Sequence, residues 1–259
     1  MKRSSRSVRS VGPRRRALFG VLVLLAGVSS SIAAADAGPG PLGVTVRAAP
    51  TPPSARIGAL FHADRADWTG GHFCTASVVH SPHRDLIVTA AHCLGGDGDE
   101  DLVFVPGYRY GKAPYGVWPV ERMLLPDGWE EGRSEDSDVA FAVLARREGR
   151  DVEDVVGANR FATGTTTGAT AVTVTGYPDD QEAPVVCTNK PEPHSATQQR
   201  ITCPGFSSGT SGSPWVNGDG QVVGVLGGHE DGGDTDDVSY SVVLGAEAAE
   251  AYRDAVYGP

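Results

Sequence analysis

Apolar residues in this chain come in short bursts separated by turn formers. IGALF (57–61), CTASVV (74–79), LIVTAA (86–91), LVFVP (102–106), DVAFAVL (138–144), AVTVTGY (171–177), QVVGVLG (221–227) and VSYSVVL (238–244) are rich in Val, Thr and aromatics and bounded by Gly, Pro and Asp. Runs of this length and composition predict β-strands, and their regular spacing predicts a barrel or sandwich. The strand groups before and after about residue 160 allow two such units, about 56–158 and about 159–245. Only AEAAEAYRDAV (246–256) carries helix-forming composition with an apolar stripe, Ala249, Tyr252 and Val256, which predicts a C-terminal helix packed against the second unit. Strands do not alternate with long amphipathic helices, so a parallel α/β sheet is not expected. With 34 Gly and 18 Pro and no collagen-like period, the composition agrees with many tight turns.

The N-terminus reads differently. Lys2, Arg3, Arg6, Arg9, Arg14, Arg15 and Arg16 form a basic head, Ala17 to Val28 an apolar run, and Ala33 and Ala35 a small-x-small cleavage site. This predicts an export signal over 1–35, too short in its apolar part to span a bilayer. Residues 36–55, with Pro39, Pro41, Pro50, Pro52 and Pro53, read as a linker or short pro-segment before a domain over 56–259. Loss of the seven basic residues of the signal takes the formal net charge from −10 to −17, because no acidic residue precedes Asp36. Such a field repels phosphate backbones and anionic membranes, so neither nucleic acid nor membrane is an expected partner of the mature chain, whereas basic peptides are attracted at low salt.

The 4 cysteines of an exported chain are read as two disulfides. Three pairings are possible. Cys74 with Cys93 and Cys187 with Cys203 are favoured because each closes a short loop, worth about 3 kcal/mol. No CxxC or Cys/His finger spacing occurs, so no metal is expected. The acidic runs GGDGDED (95–101) and HEDGGDTDD (229–237) lack the closing Glu of a calcium loop and read as solvated loops. The second follows a strand expected to line the substrate cleft, so it is expected to favour substrates with basic residues.

Three segments together carry chemistry. TAAHC (89–93) places His92 at a strand end beside a cysteine. SDVAF (137–141) places Asp138 at the start of an apolar strand, with Asp136 as the competing carboxylate. SSGTSGSPW (207–215) supplies Ser211 between glycines that let the Gly209 and Ser211 N–H groups converge. Hydroxyl, imidazole, carboxylate and oxyanion donors are the complete set for acyl transfer by serine. His62, His72, His80, His83 and His194 stand outside any such set and read as structural. GFSSG (205–209) formally matches a G-x-S-x-G elbow, but Gly209, Gly212 and Pro214 follow where that motif needs a helix.

TAAHC, DVAF and GTSGSP, in the order His, Asp, Ser, resemble the trypsin/chymotrypsin superfamily, and more narrowly its bacterial secreted members related to glutamyl endopeptidases. The resemblance implies two antiparallel six-stranded β-barrels, His92 and Asp138 on the first and Ser211 on the second, with the site in the cleft between them. It implies a secreted, monomeric serine endopeptidase acting on proteins or peptides without a cofactor. Gly205, Phe206, Leu226, Gly227, Gly228 and His229 would contact substrate. Three positions depart from the family pattern. Thr210 stands where enzymes activated by a new N-terminus carry Asp, Gly205 where trypsin carries its specificity Asp, and Leu226 where glutamyl endopeptidases carry His. The alternative from another class is an inactive barrel of this kind serving as an extracellular binding module, which would not turn over casein.

Overall fold

A computed structural model describes residues 41–65, 67–95 and 101–258. The expected signal over 1–35 and residues 96–100 of the first acidic run lie outside the described residues. All eight apolar bursts contain strands. After β1 (Val46–Arg47) and the single turn α1 (Pro52–Ala55) come β2 (Ile57–His62), β3 (Cys74–Val78), β4 (Leu86–Thr89), β5 (Leu102–Pro106), β6 (Trp118–Leu124) and β7 (Ala140–Leu144). These last six close into a barrel in the ring order β2-β3-β4-β7-β6-β5, with every neighbouring pair antiparallel. The register puts Leu60, Val78, Ile87, Phe104, Trp118 and Ala142 on one face of this wall, and all are buried. Burial of each aliphatic or aromatic side chain contributes about 1.5–3 kcal/mol.

The second half is made of β8 (Arg160–Phe161), β9 (Val172–Gly176), β10 (Val185–Asn189), β11 (Glu192–Pro193), β12 (Gln198–Thr202), β13 (Pro214–Asn217), β14 (Gln221–Val225) and β15 (Val238–Val242). They form a six-stranded sheet, β1-β10-β9-β13-β14-β8, and a three-stranded sheet, β11-β12-β15, around a core of Val174, Ile201, Phe206, Trp215 and Leu226. Side chains bridge both seams between the sheets. At the β14–β15 seam Ser241 Oγ accepts from Val225 N at 2.9 Å, and Gln199 Nε2 donates to Val223 O at 3.1 Å. At the β10–β12 seam the Cys187–Cys203 disulfide and an Asn189 Nδ2 to Thr202 O bond of 2.6 Å do the same work. Val225 N, Val223 O and Thr202 O thereby gain partners where no ladder runs.

Residues 43–55, within the stretch read as a linker or pro-segment, carry β1 and α1. Gly43 N and Ala48 N donate to Thr188 O and Pro184 O, and β1 adds an edge strand to β10. Three further helices are α2 (Asp127–Gly132), α3 (Val152–Val156) and α4 (Ala246–Tyr257). α4 lies where the sequence places it but packs mainly on β7 and β6 of the first barrel. Its buried face is Ala248, Ala251, Ala255 and Val256, small enough to approach β7 closely. Tyr252 stacks on Phe161 and tilts against Phe141 of β7, and its hydroxyl donates to His80 O at 2.6 Å.

Candidate active site

His92 sits on one 3-10 turn, Ala91–Cys93, that continues from β4, and the Cys74–Cys93 disulfide ties this turn to the start of β3. Asp138 lies between a second 3-10 turn, Glu135–Ser137, and β7, and is only 1% exposed. Its carboxylate accepts three N–H groups. His92 N reaches Oδ1 at 2.9 Å, while His92 Nδ1 and Gly228 N reach Oδ2 at 2.7 Å each. A carboxylate that only accepts fixes the neutral imidazole with its proton on Nδ1, leaving the Nε2 lone pair open. Burial pulls the His92 pKa down, but the hydrogen bond to Asp138, the Asp138 charge and the more distant Asp231 push it up, and the net shift is above the ordinary 6.5. Trp129, buried on α2, lies 6.4 Å from the imidazole, centroid to centroid.

Asp136 and Asp138, the two candidate carboxylates, differ sharply in burial. Asp136 is exposed and its Oδ1 accepts from Gln198 Nε2 at 2.9 Å, away from His92. Ser137 between them is anchored by the C-terminal helix, its Oγ donating to Glu247 Oε2 at 2.9 Å. Glu247 Oε1 also accepts from Gly128 N at 3.2 Å, so α4 pins both turns that lead to the buried carboxylate.

Ser211 is half-buried on the loop between β12 and β13. Its carbonyl accepts from Thr75 N at 2.7 Å, and Thr75 adjoins the cysteine bonded to Cys93, so the loop is moored beside the turn that carries His92. Gly212 makes that approach possible, because a Cβ there would stand 2.0 Å from Thr75 O and 2.1 Å from Thr89 Oγ1. Gly209, at φ 88°, is the third residue of a turn closed by Thr210 N to Ser207 O at 3.1 Å, the type II geometry that favours glycine. Thr210 Oγ1 reinforces the turn by donating to Ser207 O at 2.6 Å, which gives this buried Thr a structural use. Among the described residues, neither Gly209 N nor Ser211 N donates to a protein acceptor. Ser207 belongs to the same turn, and no helix follows it as an elbow requires.

Of the residues expected to meet substrate, Gly227 and Gly228 lie against Asp138, while Phe206 and Leu226 share the second core. Gly205 is exposed. His229 turns towards other partners, with its ring 4.9 Å from that of His194 and 4.8 Å from that of Tyr240 and its Nδ1 3.5 Å from Glu135 Oε2. Among the described residues, metal-type donors gather at Cys74, His92 and Cys93, and at Glu135, His229 and Glu230. The two sulfurs of the first group are committed to a disulfide, and the second group is a surface ion pair with a neighbour. Sequence reasoning missed Thr75 and Trp129, and it singled out Gly228 for substrate contact without the N–H that meets Asp138. A buried Thr beside the disulfide cysteine was the available signal for the first.

Comparison with known proteins agrees with this geometry. The chain shares 26% identity with the protease Anisep from Arthrobacter nicotinovorans, at a TM-score of 0.68 over 80% of this chain and 97% of that one. It shares 27% with the thermostable serine protease AL20 from an extremophilic microorganism, at 0.69 over 81% and 100%. A Glu endopeptidase solved in complex with MPD shares the fold at 18% identity and a TM-score of 0.67, over 84% of this chain and 98% of that chain. No curated protein matches the chain. The family model described as "Trypsin-like peptidase domain" matches residues 74–225, which spans five of the six strands of the first barrel, the His92–Asp138 pair and the Ser211 loop, and the chain belongs to that family.

Proposed function

We propose that the protein is a secreted serine endopeptidase that hydrolyses peptide bonds through Ser211, His92 and Asp138. The observation that carries this reading is the buried carboxylate of Asp138, held by three N–H groups and set 2.7 Å from His92 Nδ1. Ser211 Oγ attacks the peptide carbonyl as His92 Nε2 takes its proton, and Asp138 stabilises the imidazolium. The Gly209 and Ser211 N–H groups stabilise the tetrahedral oxyanion, at about 3 kcal/mol per donor. His92 then protonates the leaving amine, and water repeats the cycle on the acyl-enzyme to release the new carboxyl end.

Proteins or peptides are the substrate class. Asp231, Asp234, Asp236 and Asp237 are exposed between β14 and β15, and their charge favours chains with basic residues. Secretion is supported by the basic and apolar N-terminus and by two disulfides, which persist in oxidising compartments. Within this reading, 1–35 is removed on export and 56–259 is the peptidase domain, with β1 lending an edge strand from upstream.

The test is fluorophosphonate labelling of the purified protein with peptide mass spectrometry, alongside casein turnover. Label on Ser211, and loss of both label and turnover in Ser211→Ala, is the expected result. Label on Ser207, or folded protein with neither label nor turnover, refutes the assignment.

A further inference from the structure

In a trans peptide the C=O and the following N–H point in opposite directions. The directions of the Gly209 and Ser211 N–H groups are therefore set by whatever holds the carbonyls of Ser208 and Thr210. Thr210 O is held locally, by Ser213 N at 3.0 Å and Ser213 Oγ at 2.6 Å. Ser208 O is held from outside the loop, by Asp179 N at 2.8 Å. The loop after β9 that carries Asp179 is itself fastened to the first barrel at each preceding residue. Tyr177 N donates to Thr75 Oγ1 at 2.9 Å, and His72 Nε2 donates to Pro178 O at 2.8 Å. The Thr75 hydroxyl spends its own proton on Gly209 O, at 3.0 Å. Thr75 is fully buried and His72 is 2% exposed among the rings of Phe61, Tyr108 and Tyr177, so neither side chain has room to move. Gly209 packs directly on the fastened segment, where a Cβ would stand 2.6 Å from both Tyr177 O and Asp179 N.

We propose that Thr75 and His72 are positioning residues that fix the Ser208–Gly209 peptide with its N–H aimed into the oxyanion site, an inference that rests on the peptidase reading above. Without the Asp179 N to Ser208 O bond this peptide can rotate, turning the type II turn into type I and presenting a carbonyl oxygen where the oxyanion forms. That costs the transition state one donor and adds a repulsion, and leaves ground-state substrate contacts untouched.

Thr75→Val keeps the shape and removes the hydroxyl, while Thr75→Ser keeps the hydroxyl. In Thr75→Val, kcat on a peptide substrate is expected to fall by about 10²-fold, the loss that accompanies one oxyanion donor, with KM within about twofold of the parent. A peptide aldehyde, which mimics the tetrahedral adduct, is expected to weaken by the same factor as kcat/KM. Thr75→Ser restores kcat to within a few-fold, and His72→Phe lowers it with the same split. Circular dichroism and the thermal midpoint establish that each variant is folded, and His72→Phe decides the matter if Thr75→Val is not recovered folded. Folded Thr75→Val or His72→Phe with parental kcat, or a loss that Thr75→Ser shares or that aldehyde affinity does not follow, overturns the proposal. Failure of the peptidase reading itself is distinct, since it leaves the parent without turnover or fluorophosphonate label.

Discussion

Replacing Asp138 by Asn isolates the electrostatic part of the site with almost no change in shape. The carboxylate accepts from His92 Nδ1, Gly228 N and His92 N, and an amide brings one acceptor and one donor to the same space. With its oxygen at the Oδ2 position, its NH2 faces His92 N–H; with the amide flipped, it faces both His92 Nδ1 and Gly228 N–H. The flipped arrangement satisfies the imidazole only in the tautomer with Nδ1 as acceptor, which puts the proton on Nε2 and removes the base. That wrong tautomer costs about 10⁴ in kcat in sites of this design, or about 5 kcal/mol at 1.4 kcal/mol per tenfold. One or two buried donors left unpaired cost about 1–3 kcal/mol of stability, and a domain of this size loses about 2–4 °C in Tm for each kcal/mol. The assay pairs steady-state turnover of a fluorogenic peptide with a thermal melt. A folded variant retaining more than a tenth of parental kcat would refute the tautomer argument, as would a loss of activity explained entirely by unfolding at the assay temperature.

The net upward shift of His92 places the acid limb of kcat/KM above pH 6.5, and Asp231→Asn moves it to lower pH at low salt, an effect that shrinks as salt is added; a limb insensitive to Asp231 contradicts the Coulombic contribution. Because the folded pKa of His92 lies above 6.5, its contribution to stability is full below that pH and fades as pH rises through the folded value, so stability and activity run in opposite directions across this window. Replacing Cys74 and Cys93 together by Ser opens a link across 19 positions and is expected to cost about 3 kcal/mol in urea unfolding, with kcat lowered as well because Thr75 and His92 adjoin the two cysteines. Tyr252→Phe removes the bond to His80 O and keeps the ring contacts, so a loss of about 0.5–1.5 kcal/mol is expected in the same assay; no loss at all would mean that water replaces the tyrosine hydroxyl as the donor to His80 O.

Strands buried on at least one face were legible because apolar and β-branched residues repeat there, and all eight such bursts fold as strands. Strands that carry polar residues for tertiary reasons were not. β12 reads QQRIT, and its Gln198 and Gln199 are buried because their amides bond Glu135 O and Val223 O, carbonyls remote in sequence. β6 reads WPVERML, with a proline and two adjacent charges on a strand whose residues alternate between more and less exposed environments. Both disulfides followed from loop length, and the observed pairs are the favoured ones. The catalytic candidates were legible from residue type in motif order.

What the sequence determined by itself is therefore what local pattern encodes: short strands, turns, one helix, two local cysteine loops and a His, an Asp and a Ser at strand ends. The contrast between buried Asp138 and exposed Asp136 was set by the tertiary structure, because burial and the three converging N–H donors come from separate segments. The docking of α4 on the first barrel was likewise decided there, through Glu247 and Tyr252, since a helical stripe says that a face is buried but not against what. The same holds for the direction of the Gly209 N–H. It depends on Thr75 and His72 in the first barrel gripping a loop of the second half, a relation between residues far apart in the chain that no local pattern records.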